Sequence, residues 1–276
     1  MSIITLTTDY GLKDHFAGIL KGKLFSLLPE INIVDITHTI DKFNCLEASY
    51  LLSVSYAHFP KGTVHLVCVD ASRNADTEHI VMLYDGHYFI GADNGIFGSL
   101  TNKRNAEKIV RISIHDRLIN GSSDLDVFAM VATHLAKGGE MNVIGTPISE
   151  IKKMNVLVPI VEQNEKIIRG HVVYIDDFGN CVTNISKSLI DEIAKGREYI
   201  IRFSSHSIKK VKNNYSDFKN NTTADLNALA GNEIAIFNQD HFLEIAIYRS
   251  NPKRSGSAQT LLGLKIQDVV LVEFTN

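Results

Sequence analysis

With 276 residues, 45% hydrophobic and 21% charged, the chain has the composition of a soluble globular protein long enough for two domains. A net charge of −3 argues against nucleic acid or an anionic membrane as partner. No run approaches the roughly eighteen apolar residues that cross a bilayer, and Met1-Ser2 leads into a strand without a basic-then-apolar leader, so a cytoplasmic protein is expected.

Ile3 to Thr7 reads as a short β-branched strand, Thr8 to Lys13 as a turn with Gly11 free to take positive φ, and Asp14 as the N-cap of a helix from Phe16 to Leu28. Asp9 thereby falls just past the carboxyl end of a strand. Open α/β sheets bind ligands at that edge, because its loops meet solvent while the strands hold them in place. Ile31 to Ile36 reads as a second strand. Leu46 to Phe59 carries apolar residues at helical spacing and stops at Pro60-Lys61-Gly62. Thr63 to Val69 is nearly continuous apolar, as a strand covered on both faces must be, and it ends in a second carboxylate, Asp70. Connections of this kind set parallel strands side by side with their carboxyl ends on one edge.

Ile80 to Tyr84 and Tyr88 to Gly91 read as strands joined at Asp85-Gly86, Ala92-Asp93-Asn94-Gly95 as a polar turn, and Lys108 to Ile112 as a further strand. Asp126 to Ala136 has helical spacing and closes on Lys137-Gly138-Gly139. Residues 149–166 break into charged and apolar scraps and read as a linker, which bounds an α/β domain with a mostly parallel sheet over residues 1–150. Beyond it, residues 165–276 hold short β-rich runs at Gly170 to Ile175, Tyr199 to Phe203, Glu233 to Phe237, Leu243 to Ile247 and Val269 to Phe274. With one helical pattern, Ser186 to Lys195, and a lysine-rich segment, Ser207 to Asn213, expected as a solvated loop, this is a smaller and mainly antiparallel β domain.

The three cysteines, Cys45, Cys68 and Cys181, lie far apart in apolar contexts and are expected as buried free thiols. No metal site is expected, because no two histidines stand at i, i+4 and there is no Cys-x-x-Cys. Gly-x-Gly-x-x-Gly, the P-loop pattern and Gly-x-Ser-x-Gly are absent, which argues against dinucleotide, nucleoside triphosphate and acyl-transfer chemistry. What remains is a set of polar turns at strand ends: Asp9, Asp70, Asn94 and Asp176 to Asn180. Singly each is a turn-former; together at one sheet edge they could bind a hydroxyl-rich ligand such as a ribose, whose diol a carboxylate accepts in two hydrogen bonds.

Six motifs in order carry a family resemblance: Ile4-Thr5-Leu6-Thr7-Thr8-Asp9-Tyr10-Gly11, Ile33-Val34-Asp35-Ile36-Thr37-His38, Phe59-Pro60-x-Gly62-Thr63-Val64-His65, Asp93-Asn94-Gly95, Phe178-Gly179-Asn180-x-x-Thr183-Asn184-Ile185 and Leu243-Glu244-Ile245-Ala246. From Ile3 to about Val272 the chain resembles the S-adenosyl-L-methionine hydroxide adenosyltransferases, relatives of the fluorinating and chlorinating adenosyltransferases. The resemblance implies an α/β amino-terminal domain, a β-barrel-like carboxyl-terminal domain and a homotrimer, with substrate held between the first domain of one subunit and the second domain of its neighbour. It also implies S-adenosyl-L-methionine as a substrate, with no cofactor, and hydrolysis to adenosine and L-methionine by displacement at the ribose 5′ carbon.

Carried over by position, the resemblance gives Asp9 the ribose hydroxyls, Phe178 and Asn180 substrate contacts, Tyr215 the stack on adenine, and Asn238 and Glu244 the last adenosine-contacting segment. Phe43 would line the same pocket, and Asp70 would orient the attacking water. The family's Asp-Pro-Gly-Val-Gly-Thr-x-Arg-Arg is Asp70 to Glu78 here, so its arginine is Thr77. Its Phe-His-Gly-Arg-Asp is Ser122-Ser123-Asp124-Leu125-Asp126, so its histidine is Ser123. Of an Asp-Arg-His trio only Asp70 stays in place, and Arg73 is the expected substitute cation. The alternatives left open are a protein that binds adenosine or S-adenosyl-L-methionine without hydrolysing it, and a relative that uses chloride or another nucleophile.

Overall fold

Strand β1, Ile3–Thr8, is buried from Ile4 onward, which requires cover on both faces of the sheet it belongs to. The computed structural model describes residues 2–101, 104–118, 122–213, 215–218 and 222–275, and the chain divides into two units, Met1–Val156 and Leu157–Asn276. In the first unit β1 pairs in parallel with β2, Asn32–Thr37, and with β3, Val64–Cys68; the links are helices α1, Phe16–Leu27, and α2, Cys45–Ser55. Strand β4, His79–Tyr84, turns through Asp85-Gly86 into β5, His87–Ala92, which lies parallel to β3. Helix α3, Ile96–Leu100, strand β6, Lys108–Ile112, helix α4, Asp124–Ala136, and strand β7, Gly145–Pro147, complete the unit. The sheet order is β2-β1-β3-β5-β4-β6-β7, parallel as far as β5 and antiparallel beyond it.

Alternation along each strand sorts the side chains into two cores. Ile4, Leu6, Leu66 and Cys68 pack with Leu20 and Leu24 of α1 and with Val127, Val131 and Leu135 of α4. Val67, Val69, Met82 and Phe89 face the other way, against Ala48 and Leu52 of α2 and Phe97 of α3. Because both cores press on the same strands, the loops at their carboxyl ends start from fixed positions.

The second unit is a nine-stranded sheet that curls into a nearly closed, barrel-like form. Its elements are β8, Ile160–Glu162; β9, Ile167–Ile175; β10, Cys181–Ser186; α5, Lys187–Ala194; β11, Tyr199–Phe203; β12, His206–Ile208; β13, Val211–Lys212; α6, Thr223–Ala228; β14, Glu233–Phe237; β15, Phe242–Ile247; α7, Ala258–Leu261; and β16, Val269–Phe274. The order β12-β11-β16-β9-β10-β15-β14-β13, with β8 on β9, is antiparallel apart from the β13–β14 pair. Ile168, Val172, Ile185, Ile201, Ile245 and Val272 belong to its core.

Four local expectations change. Helix α1 is capped by His15 without a side-chain hydrogen bond, so Asp14 is not its N-cap; it stands one residue too early for its carboxylate to occupy the capping position. The 149–166 segment contains β8, whose Val161 lies opposite Ile168. The lysine-rich 207–213 segment supplies β12 and β13, because Ile208 is buried and Val211 packs on the core while Lys209 and Lys210 remain exposed. Of the three free thiols, Cys68 and Cys181 are buried and Cys45 is only partly so.

Gly91 of β5 shows how tightly the first unit is packed. A Cβ there would stand 2.7 Å from the main-chain oxygen of Val67 and 3.1 Å from the Phe97 ring. Gly91→Ala is expected to destabilise the protein by about 1–3 kcal/mol in urea unfolding. Gly18→Ala, in an α1 position with open space around it, should instead stabilise by about 0.5–1 kcal/mol, so equal effects of the two would refute this account.

Candidate functional site

The carboxylate of Asp9 is 7% exposed and organises the carboxyl edge of the first sheet. Its Oδ2 accepts the N–H of Phe43 at 3.0 Å and that of Asp70 at 3.5 Å. Both donors have left-handed backbones, Phe43 at φ 63° and Asp70 at φ 43°. Such strain in non-glycine residues persists only where surrounding structure imposes it, and it clusters at functional sites. Among the described residues Oδ1 of Asp9 accepts no hydrogen bond, which leaves an oxygen of a nearly buried carboxylate for a ligand. Lys42 Nζ donates to the Asp9 main-chain oxygen.

A cleft of about 510 Å³ opens here, with Asp9, Tyr10, Lys42, Phe43, Asp70 and Asp124 on its wall. Phe43 is 71% exposed. Burial drives the Tyr10 hydroxyl's pKa far up, so it stays protonated as a donor. The Asp70 side chain is exposed and makes no hydrogen bond among the described residues, while its loop is pinned by Asn94, whose Nδ2 donates to the oxygens of Val69 at 2.9 Å and Asp70 at 3.1 Å. Asp9, Phe43 and Asp70 are thus brought together. Arg73 is placed differently: its Nε pairs with Glu78 Oε2 at 3.1 Å and its backbone N–H donates to Asp124 Oδ2 at 3.1 Å.

The two departures from the family pattern have other work locally. Thr77 closes a turn with Asn74 through paired backbone bonds of 3.1 and 3.3 Å. Ser123 starts α4, its hydroxyl donating to Asp126 Oδ2 at 2.8 Å and its N–H to the same oxygen at 2.9 Å. Next to it, His79, His115 and Asp124 form the one group among the described residues able to hold a metal ion, each offering a ligand atom within 4.8 Å of the others. Histidine spacing in the sequence could not find it, since His79, at the start of β4, and His115, in the turn after β6, lie 36 positions apart.

In the second unit a smaller cleft of about 280 Å³ is lined by Phe178, Asn180, Tyr215 and the stretch Ile247 to Ser250. Asn180 is 7% exposed, held by its N–H to Asp176 Oδ1 at 2.8 Å and its Nδ2 to Asp176 Oδ2 at 3.0 Å. Gly179 has φ 72°, and a Cβ on it would meet Ser257 Oγ at 2.3 Å, so only glycine fits between Phe178 and Asn180. Tyr215 donates its hydroxyl to Glu244 Oε1 at 3.4 Å, and Asn238 also hydrogen-bonds Glu244 while its Oδ1 accepts from the N–H groups of Asp240 and Phe242. Glu244 and Asn238 support the cleft through Tyr215 and are not on its wall. Lys42 and Arg249 line the clefts without having been singled out from sequence, because a lone Lys or Arg carries no spacing signal, and Tyr10 stood in a motif without a role of its own.

Burial, with Asp176 nearby, pushes the Glu244 carboxyl up to about 7 from an ordinary 4.5. In that window the folded state keeps a proton that the unfolded chain has lost. The contribution to stability is therefore complete below about 4.5 and is lost as pH rises through 7. Glu244→Gln should remove this slope and stabilise the protein by roughly 2–3 kcal/mol at pH 8 relative to its effect at pH 5. Identical pH profiles of urea stability for the two proteins would show that Glu244 titrates normally.

Sequence profiles of the SAM hydroxide adenosyltransferase N-terminal and C-terminal domains match residues 4–145 and 170–271 respectively. The chain is 29% identical over 269 residues to the (R)-S-adenosyl-L-methionine hydrolase of Methanocaldococcus jannaschii, covering 92% of this chain and 91% of that one. It is 26% identical over 205 residues to the enzyme of the same name from Salinispora tropica, covering 70% and 75%. Its fold is similar to that of an uncharacterized conserved protein from Thermotoga maritima, with a TM-score of 0.82, 26% identity and 99% of both chains aligned. Among the described residues no helix is long and apolar enough to cross a membrane.

Proposed function

The chain belongs to the SAM hydroxide adenosyltransferase family, and on that premise we propose that it is an S-adenosyl-L-methionine hydrolase, yielding adenosine and L-methionine. The observation that carries this reading for the residues themselves is the meeting of Asp9, Phe43 and Asp70 in one cleft, two of them held in left-handed backbone by the carboxylate of the third.

In the proposed reaction the water oxygen attacks the ribose 5′ carbon as the bond from that carbon to sulfur breaks. The electron pair of the broken bond stays on sulfur, which leaves as the neutral thioether of methionine, and the attacking water gives up its proton to the Asp70 carboxylate, from which it passes to solvent. A sulfonium needs no acid to leave, so catalysis rests on in-line positioning and on stripping bulk water from the nucleophile. Asp9 Oδ1 accepts the ribose diol. The unpaired Asp70 carboxylate, projecting from a loop fixed by Asn94, orients the water and draws off positive charge as the proton departs. Lys42 is the cation on this cleft's wall, whereas the Arg73 side chain is committed to Glu78. Phe178, Asn180 and Tyr215, with Glu244 and Asn238 behind Tyr215, are proposed to contact adenosine. Phe43 and Phe178 are 71% and 68% exposed, rings that gain from being covered by a ligand or by another copy of the chain, and a homotrimer is part of the proposal.

Asp70→Asn should lower adenosine release by about 10² to 10⁴ while leaving adenosine affinity within about twofold, measured by product chromatography and calorimetry. Full-rate release from this variant would remove Asp70 from the mechanism. Asp9→Ala should weaken adenosine binding by roughly 1.5–3 kcal/mol, the strength of a charge-assisted hydrogen bond, and unchanged affinity would exclude it as the ribose acceptor. Light scattering is expected to give three times the chain mass; a monomer that binds adenosine fully would overturn the trimer.

A further inference from the structure

His79 opens β4 and is completely buried. Its Nε2 lies 2.9 Å from the main-chain oxygen of Ala71, an atom that only accepts, so Nε2 carries the proton and Nδ1 is left bare. That bare Nδ1 is 3.0 Å from Nε2 of His115, in the turn after β6, and therefore receives a proton from it. One shared proton thus separates two ring nitrogens aimed at each other. At His115 the opposite nitrogen, Nδ1, is buried and has no hydrogen-bond partner among the described residues, so the contact with His79 is the one bond that keeps the ring proton on Nε2. Asp124, the first residue of α4, completes the group: the Arg73 N–H occupies its Oδ2, and its ligand oxygen lies within 4.8 Å of both rings.

We propose that His79 Nδ1, His115 Nε2 and the Asp124 carboxylate bind one zinc-like divalent transition-metal ion. A small turn of the His115 ring, so that the two imidazole nitrogens now 3.0 Å apart converge instead of facing each other, lets both reach a single ion at about 2.0–2.1 Å, and two His with one carboxylate leave room for water in a further position. The ion replaces the shared proton, and the His115 ring proton moves to Nδ1, where no partner opposes it. The Ala71 carbonyl on the far side of His79 has the position of the outer hydrogen-bond acceptor that orients a metal-bound histidine. Imidazole donors favour zinc, cobalt or nickel over magnesium or calcium, which take oxygen ligands.

The ion joins the start of β4, the turn after β6 and the first residue of α4. Two of these already touch the loop that follows Asp70: His79 through Ala71, and Asp124 through Arg73. Binding would fix that loop to α4 beside the cleft, in the segment where the family's Gly is Asp124 here. The inference does not rest on the cleft's activity, because it concerns only these three side chains.

The test is calorimetric titration of the full-length protein, stripped with a chelator, with zinc chloride and separately with magnesium chloride. One zinc per chain at micromolar affinity or tighter is expected, with no magnesium heat and a rise in melting temperature under saturating zinc. His115→Ala and Asp124→Asn should each weaken zinc binding by at least tenfold and abolish the rise in melting temperature. Cobalt-loaded wild type should show visible absorption that His115→Ala lacks. Since His79→Ala opens a cavity in a fully buried place and can simply fail to fold, the other two variants decide the matter. Absence of stoichiometric zinc binding, or binding that survives both variants unchanged and so belongs to other histidines, overturns the proposal.

Discussion

One carboxylate oxygen holds the working edge of the first unit together. Asp9 Oδ2 receives N–H groups from two segments, one leading into α2 and one leaving β3, and each donor accepts an unfavourable backbone to deliver its hydrogen. The bonds form only because Asp9 is itself immobile, at the end of a strand buried from Ile4 to Thr8 between two helix layers. Packing far below the loops thereby sets where Phe43 and Asp70 stand. Removing the carboxylate would leave the Phe43 and Asp70 amides without this acceptor and free both segments, so a change at Asp9 reshapes the cleft as well as its wall.

The second unit uses a different device for the same purpose. Its cleft depends on a tight turn in which Asp176 binds both the backbone and the side chain of Asn180, with Gly179 fitted against Ser257. Glu244 lies below, with Tyr215 and Asn238 as hydrogen-bond partners, at a pKa near neutrality that follows from burial beside another carboxylate. A group of this kind holds or loses its proton within the ordinary range of cell pH, and the aromatic ring on the cleft wall is hydrogen-bonded directly to it.

Much of the architecture was legible because it is written in period and punctuation. The continuous apolar run of Thr63 to Val69 marked a doubly covered strand, Asp85-Gly86 marked the β4–β5 hairpin, and the change to short β runs after the 149–166 stretch marked the second unit. Elements too short to repeat their period were missed: α3 has five residues, and β12 and β13 sit in a segment whose lysines mask Ile208 and Val211. The site divides in the same way. Asp9 and Asp70 stood out as carboxylates at strand ends, and the turn around Asn180 by its composition. The part played by Lys42, and the pairing of Arg73 with Glu78, depend on how loops fold back, which no spacing encodes. His79, His115 and Asp124 meet only because β4, the turn after β6 and α4 converge, a consequence of sheet order.

The backbone at Phe43 has a consequence for how such a cleft can diversify. At φ 63° L-residues unbranched at Cβ bear similar steric costs, so exchanging the phenylalanine for another aromatic or for leucine or methionine changes the wall of the cleft while adding little to that cost. The ring is 71% exposed, so its replacement also leaves the packed interior untouched. Shape at this position is uncoupled from foldability. An evolving lineage, or a designer, can therefore reshape this wall while drawing little on the stability reserve that changes in a packed interior consume.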